Sequence, residues 1–303
     1  MSVYLIAEAG VNHNGDIEAA KQLIRQAKAA GCDCIKFQTF RAEKIVTAHA
    51  QKAVYQSKNT GNSESQYEML KKLELSFEQF GELKRCCDEH GIDFMSTPFD
   101  EEAVDWLEEL EVEQYKISSG DLTNKRLLQH VARTGKSIIL STGMSTEGEI
   151  EEALAWIAEI GDNPVTLLHC TSDYPACYED VNMNAMIAMK KRFHLPVGYS
   201  DHTLGMEVPI MAVALGAEVI EKHVTLSKES EGPDHAASLD MQELSQMADS
   251  IRNIEKAFGT GEKRMTERER NTRLVARKSV TVTKNLFKGH TIVADDLDIK
   301  RPG

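Results

Sequence analysis

Short β-branched apolar runs alternate with amphipathic stretches along most of the chain. The runs VYLIAE (3–8), CIKFQ (34–38), IDFMS (92–96), QYKIS (114–118), SIIL (137–140), VTLLHC (165–170), PVGYS (196–200) and EVIEKH (218–223) each have the length of a strand. Between them lie segments of helical spacing. SFEQFGELKRCCDEHG, for example, carries Phe77, Phe80 and Leu83 on one face and ends at Gly91. Ser76 with Gln79, and Thr146 with Glu149, have the spacing of capping boxes at helix starts. Gly31, Gly91, Gly135 and Gly216 fall where a helix gives way to the next strand. Strict alternation of strand and helix predicts a parallel sheet with helical crossovers. Eight units in about 250 residues predict a (β/α)₈ TIM barrel over residues 1–260 rather than an open sheet. A dinucleotide-binding sheet would want G-x-G-x-x-G after an early strand, where this chain has GVNHNGD.

The pattern changes after a helix near 240–257. A charged stretch, GEKRMTERERN, leads into the alternating segment RKSVTVTKNLFKGHTIVADDLDIKRPG. Residues 261–303 therefore read as a linker and the opening of a small β-rich module. The longest connection, 40–75, is rich in Gln, Asn, Ser and Lys, and on a barrel such a loop predicts a lid or a substrate wall.

Composition narrows the function classes. The 303 residues suit one large α/β domain with a short appendage. No apolar run is long enough for a bilayer, and the N-terminus has neither a basic region nor a cleavage site, so a cytoplasmic protein without membrane partners is expected. A net charge of −13 and the lack of a basic cluster with interleaved aromatics argue against nucleic acid. The six cysteines include no C-x-x-C pair and read as reduced thiols rather than a zinc site.

In such a barrel the reacting groups project from the carboxyl ends of strands. Those ends carry Glu8; Lys36 and Gln38; Thr97; Lys116 with Ser118, Ser119 and Asp121; Ser141 and Thr142; Thr171, Ser172 and Tyr174; Ser200, Asp201 and His202; and His223. Lys36 and Lys116 stand inside apolar strands, where a charge must be paired. Two pairings are open: a bound phosphate or carboxylate cradled with the hydroxyls of Thr97, Ser119, Ser141 and Ser200, or an internal carboxylate such as Glu8 or Asp121. His202 and His223 end neighbouring strands, about 4.8 Å apart, and at matched height could share one metal ion with Glu8 nearby. Asp234, in the loop GPDHAAS, is either an Asx-turn residue or a carboxylate over the barrel mouth.

Taken in order, IAEAGVNHNGD, IKFQTF, YQSKNTGNSESQYEMLKKLEL, STPFD, YKISSGDLTN, ILSTGMST, LLHCTSDYP, YEDVN, VGYSDHTLG, ALGAEVIEKHVTL and GPDHAAS resemble the sialic acid synthase family over the whole barrel. RKSVTVTKNLFKGHTI and IKRPG look like the start of that family's C-terminal antifreeze-like domain. The resemblance implies condensation of phosphoenolpyruvate with the open-chain aldehyde of an N-acetylated amino sugar, phosphate leaving by C–O cleavage. It implies a divalent metal, manganese first, with magnesium or cobalt as substitutes, held by His202 and His223. Lys36, Thr97, Lys116, Ser119, Ser141, Ser172 and Ser200 would hold phosphoenolpyruvate, and Gln38, Tyr174 and Asp234 would face the sugar. Glu8 and Asp121 would be catalytic carboxylates beside the reacting carbons. Asp121 stands where the family often has glutamate, and Ser172 where some members have asparagine. In the family the antifreeze-like domain caps the partner's barrel in a domain-swapped homodimer; this chain stops as that domain opens, which suggests a truncated form or an incomplete sugar site.

N-acetylneuraminate and N,N'-diacetyllegionaminate are the expected products, pseudaminate less so. Two other functions fit the same residues: a Schiff-base aldolase using Lys36 or Lys116, and a barrel that only binds a phosphorylated ligand.

Overall fold

The computed structural model describes residues 2–47, 49–61 and 64–301. The chain divides into two compact units, Met1–Ala257 and Phe258–Gly303.

In the first unit all eight expected strands form: β1 Tyr4–Gly10, β2 Cys34–Thr39, β3 Asp93–Pro98, β4 Gln114–Ile117, β5 Ser137–Ser141, β6 Val165–His169, β7 Val197–Asp201 and β8 Val219–His223. They pair in parallel in the order β3-β2-β1-β8-β7-β6-β5-β4. The two end strands, β3 and β4, lie beside one another and bring the sheet round to a nearly closed (β/α)₈ barrel.

The barrel interior explains why polar residues gather at one end. Ile6, Cys34, Met95, Ile139, Leu168 and Val219, one from each of six strands, pack into a single apolar plug. Side chains along a strand alternate between faces, so the residue two further on points inward one layer higher. Those residues are Glu8, Lys36, Thr97, Ser141, Cys170 and Glu221, and every one of them lines the same cavity. On β7 the plug position is Gly198, where a Cβ would come within 2.3 Å of the Val219 carbonyl oxygen. Ser200 follows it two residues later, again in the cavity wall.

Helices cover the outside of the barrel and bury its second, larger apolar layer. Ser76 accepts from the Gln79 amide and Thr146 from the Glu149 amide, so both expected capping boxes are made. Helix Phe77–His90 ends on Gly91 in the left-handed conformation (φ 64°), as the position required. The described residues of the connection 40–75 include regular structure that its composition does not suggest. It holds three short helices, Ala42–Ile45, Val54–Thr60 and Gln66–Leu73, and its Phe40, Met69 and Leu73 pack with Val11 into a small apolar cluster.

The second unit contains helix Glu269–Ala276 and an antiparallel pair, β9 Ser279–Val282 and β10 Leu297–Lys300. Asp296 organises it: Lys284 at 2.9 Å, His290 Nε2 at 2.6 Å and the Val293 amide all reach its carboxylate, and the first two hold it below the usual carboxylate range. Among the described residues no helix is long and apolar enough to cross a membrane.

Candidate active site

The strand ends surround a cavity of about 470 Å³. Glu8, Lys36, Gln38, Thr97, Lys116, Ser119, Ser141, Ser172, Tyr174, Ser200, His202, His223 and Asp234 all line it. Asp121 does not. Its carboxylate accepts from the Ser118 hydroxyl at 2.7 Å and from Asn124 Nδ2 at 3.3 Å, which makes it a turn residue behind the wall.

One side of the cavity is a buried cluster of alternating charges. Register fixes it: Glu8 pairs with Lys36 on β2 and with His223 on β8, and Ser200 pairs with Glu221. Lys36 Nζ lies 2.7 Å from Glu8 Oε2, 3.0 Å from Thr97 Oγ1 and 3.7 Å from Glu221 Oε2. Lys116 Nζ has only Glu221 Oε1, at 3.5 Å. Burial pushes the Lys116 ammonium down from its ordinary value, and Glu221 offsets this only in part. Burial pushes the Glu8 carboxyl up to about 7 against the pull of Lys36. For Glu221 burial acts the same way, but Lys116 and Lys36 outweigh it and hold the group below the carboxylate range. The cluster is not satisfied from within. Among the described residues, Glu221 Oε2 and Ser141 Oγ are buried without a hydrogen-bond partner, while Glu8 Oε2 has the Lys36 ammonium. Buried polar atoms are rarely left so unless a ligand completes them.

The adjoining wall, at the ends of β7 and β8 next to Glu8 and Ser200, is aromatic. The ring centroids of His202 and His223 are 5.5 Å apart, and Tyr174 packs on both, 4.1 Å from His202 and 5.8 Å from His223. Tyr55, from helix Val54–Thr60, stacks on Tyr174 at 4.9 Å. His202 Nδ1 lies 2.7 Å from the Thr171 carbonyl oxygen. A carbonyl only accepts, so Nδ1 carries the proton and Nε2 keeps its lone pair. His223 Nδ1 is buried with no partner. Burial lowers both imidazoles, and His223 is driven well below the ordinary range, with His202 and Lys36 adding to the effect. Two neutral imidazoles with free lone pairs are the state a metal requires. Among the described residues no set of three or more His, Cys, Asp or Glu side chains converges on one point, so the candidate metal ligands are this pair alone. Asp234, buried above them, is pushed up to about 6 by burial.

Glu221, Cys170 and Tyr55 also line the cavity, although the sequence reading does not single them out as site residues. Glu221 has a readable signal. It is a charged residue inside the apolar run EVIEKH, the same criterion that singles out Lys36 and Lys116. Tyr55 opens the stretch YQSKNTGNSESQ, but a helix of one to two turns offers no periodicity to mark it as a wall residue.

The profile of the NeuB family matches residues 23–263. The chain belongs to the NeuB family of sialic acid synthases. It is 47% identical to the N,N'-diacetyllegionaminic acid synthase of Legionella pneumophila, across 100% of this chain and 86% of that one. It is 37% identical to the N-acetylneuraminate-9-phosphate synthase of Homo sapiens, across 98% and 82% of the two chains. Among solved structures, the N-acetylneuraminic acid synthetase of Leptospira borgpetersenii in complex with citrate superposes with a TM-score of 0.78 at 34% identity, covering 90% of each chain. As a NeuB-family barrel the chain is an enzyme of the synthase type, and its relatives are named for different sugar acids.

Proposed function

We propose that this NeuB-family enzyme condenses phosphoenolpyruvate with the open-chain aldehyde of a diacetamido-trideoxyhexose, giving N,N'-diacetyllegionaminate and phosphate. The observation that carries the reading is one cavity lined both by buried lysines and hydroxyls and by two imidazoles. Lys36 and Lys116, with Thr97, Ser119, Ser141 and Ser200, suit the phosphate and carboxylate of phosphoenolpyruvate. The choice of sugar rests on two supports. The 47% relative carries the legionaminic acid name, against 37% for the N-acetylneuraminate-9-phosphate relative. Apolar side chains of Val11, Phe40, Ile45, Met69, Leu70 and Leu73 also line part of the cavity, beside Gln56 and Gln66, and suit the deoxy positions of a trideoxy sugar.

His202 and His223 fit a divalent metal, manganese first, because both present uncommitted imidazole nitrogens in a buried site. Such an ion, when bound, supplies Lewis-acid polarisation of the aldehyde. The chain's own residues do the rest. Tyr174, Gln38 and Asp234 orient the sugar so that its aldehyde carbon meets the methylene of phosphoenolpyruvate. As that bond forms the aldehyde π pair moves to its oxygen and positive charge is left on the former enol carbon. Water attacks that carbon, and one of its protons goes to the former aldehyde oxygen. The tetrahedral product collapses to the ketone, its second proton leaving with phosphate by C–O cleavage. Glu8 and Glu221 face that carbon's surroundings and stabilise the cation. The Lys36 and Lys116 ammonium groups receive the charge of the departing phosphate.

Phosphate release, measured with phosphoenolpyruvate and each sugar in turn, tests the reading. The diacetamido-trideoxyhexose is expected to give at least about tenfold higher kcat/KM than N-acetylmannosamine, the value of one well-placed contact. The opposite order transfers the assignment to N-acetylneuraminate. No phosphate from either sugar, with folded protein and Mn²⁺ present, removes the synthase reading from this chain. The lowered ammonium of Lys116 also suits a Schiff-base nucleophile. A borohydride-trapped adduct with pyruvate would favour that second reading. EDTA is expected to abolish turnover and Mn²⁺ to restore it. In parallel, manganese binding followed by electron paramagnetic resonance should disappear in His223→Ala.

A further inference from the structure

Behind the cationic side of the cavity, three strand ends meet around one residue without a side chain. Gly143 follows β5, and a Cβ built on it would lie 2.3 Å from Ser172 Oγ, 2.9 Å from Ser119 Oγ and 3.0 Å from Cys170 Sγ. These three groups come from the loop after β4 and the loop after β6, and all three line the cavity. Gly143 itself lies behind them. Its peptide is held at both ends: its N–H donates to Ser119 Oγ at 2.9 Å, and its carbonyl accepts from Ser145 Oγ at 3.2 Å.

The direction of the first bond has a chemical consequence. A serine hydroxyl has one hydrogen to give and lone pairs to accept with. The Gly143 N–H occupies an accepting position on Ser119, so the Ser119 hydrogen must point elsewhere. Its other neighbour is Cys170 Sγ, at 3.2 Å. A thiol sulfur is a weak acceptor, so that contact is easily given up to an anionic oxygen. Ser141 Oγ, buried in the same wall, has no partner at all.

We propose that Gly143 is a positioning residue of the anion cradle: its lack of a side chain lets Ser119, Cys170 and Ser172 converge, and its N–H sets Ser119 as a donor to the phosphate of the bound substrate. The proposal rests on the phosphoenolpyruvate reading of this cavity and adds to it a residue that never touches the ligand. Neither bulk nor charge of Gly143 enters the chemistry; it acts through Ser119 and through the space it leaves.

The test compares parent, Gly143→Ala and Ser119→Ala in the full chain. Inorganic phosphate binding is read by calorimetry, and KM for phosphoenolpyruvate and for sugar by phosphate release. Gly143→Ala is expected to weaken phosphate and to raise the phosphoenolpyruvate KM by about ten- to a hundredfold, the worth of one hydrogen bond to a charged acceptor. The sugar KM should move less than about threefold, since Gln38, Tyr174 and Asp234, the residues assigned to the sugar, are not among the groups that meet Gly143. Ser119→Ala adds no volume and should reproduce the phosphate defect, which keeps the inference open to test even if Gly143→Ala fails to fold. Phosphate affinity equal to the parent's in either folded variant overturns the inference and leaves the synthase reading standing. Equal rises in both KM values together with a lowered Tm assign Gly143 a structural role and also overturn it. A parent that binds neither phosphate nor phosphoenolpyruvate removes both readings together.

Discussion

Glu221 and Lys222 are neighbours on β8, both buried and both paired with charge, yet they belong to different kinds of site. Lys222 points away from the cavity, where its ammonium donates hydrogen bonds to Asp201 Oδ2 and to the Thr203 carbonyl. Asp201 is in turn filled by the amide and hydroxyl of Thr203. Every member of that group has a partner within the protein. Glu221, one residue earlier and on the opposite face, meets Ser200 at 2.8 Å and two lysines at 3.5 Å and 3.7 Å, and still has Oε2 without a hydrogen bond. A buried charge therefore does not by itself mark a site. The unmet bonding capacity left over after internal pairing does.

The sharpest way to break this comparison is to remove a lysine from each group. Lys222→Met leaves Asp201 buried without its cation and should cost about 3–5 kcal/mol of stability, read by urea unfolding. Replacing both partners, Lys222→Met with Asp201→Leu, should recover most of that loss, while kcat/KM per folded molecule changes little. A stable, inactive Lys222→Met would mean that this pair is part of the chemistry after all. Lys116→Met should do the reverse. Its ammonium is disfavoured by burial, and Glu221 keeps Lys36 at 3.7 Å, so Tm should fall less than in Lys222→Met. Turnover should fall about a hundred- to a thousandfold, as when one charge-stabilising donor is lost.

Asp234 offers a smaller, pH-dependent contrast. Burial pushes its carboxyl up to about 6 from an ordinary value of 3.8. The folded state then holds a proton that the unfolded state has released, so the protein loses stability as pH rises through that window. The loss is complete above about pH 6 and amounts to about 3 kcal/mol. Asp234→Asn should abolish this fall, so the variant is the more stable chain at pH 7.5 and matches the parent near pH 4. Parallel unfolding curves at the two pH values check it. A parent and variant that differ equally at both would show that Asp234 titrates normally.

The barrel is readable in the sequence because parallel strands buried on both faces are continuous apolar runs, and these eight are bounded by glycines and capping boxes. The cavity is readable for the same reason, since the inward layer switches from apolar to polar between Ile6 and Glu8, Cys34 and Lys36, Ile139 and Ser141. What sequence position does not carry is direction at the loop stage. Asp121 stands at a strand end like its neighbours, but a local turn claims its carboxylate. Glu221 and Lys222 read alike as charges in an apolar run, and only their opposite faces tell them apart. The short helices of 40–75, and with them Tyr55, depend on packing against Val11 and Tyr174, which no local pattern announces.

Glu221→Gln gives the smallest effect expected here and the most specific one. The substitution keeps an oxygen to accept from Ser200, so the local hydrogen bond survives. It removes one negative charge that faces both Lys36 and Lys116. With Glu8 and Glu221 ionised, the four groups sum to zero, and an incoming phosphate must compete with the internal carboxylates for the lysines. With glutamine the cluster carries a net positive charge. Inorganic phosphate should then bind at least about tenfold more tightly at low salt, a modest share of what one unit charge a few ångströms away is worth at an intermediate dielectric. Turnover should nevertheless fall, because phosphate is also the product and leaves more slowly. Calorimetric titration of phosphate into parent and variant decides the matter. Unchanged or weaker binding in the variant would mean that the lysines are committed to structure, as Lys222 is, and that the unmet capacity around Glu221 has another purpose.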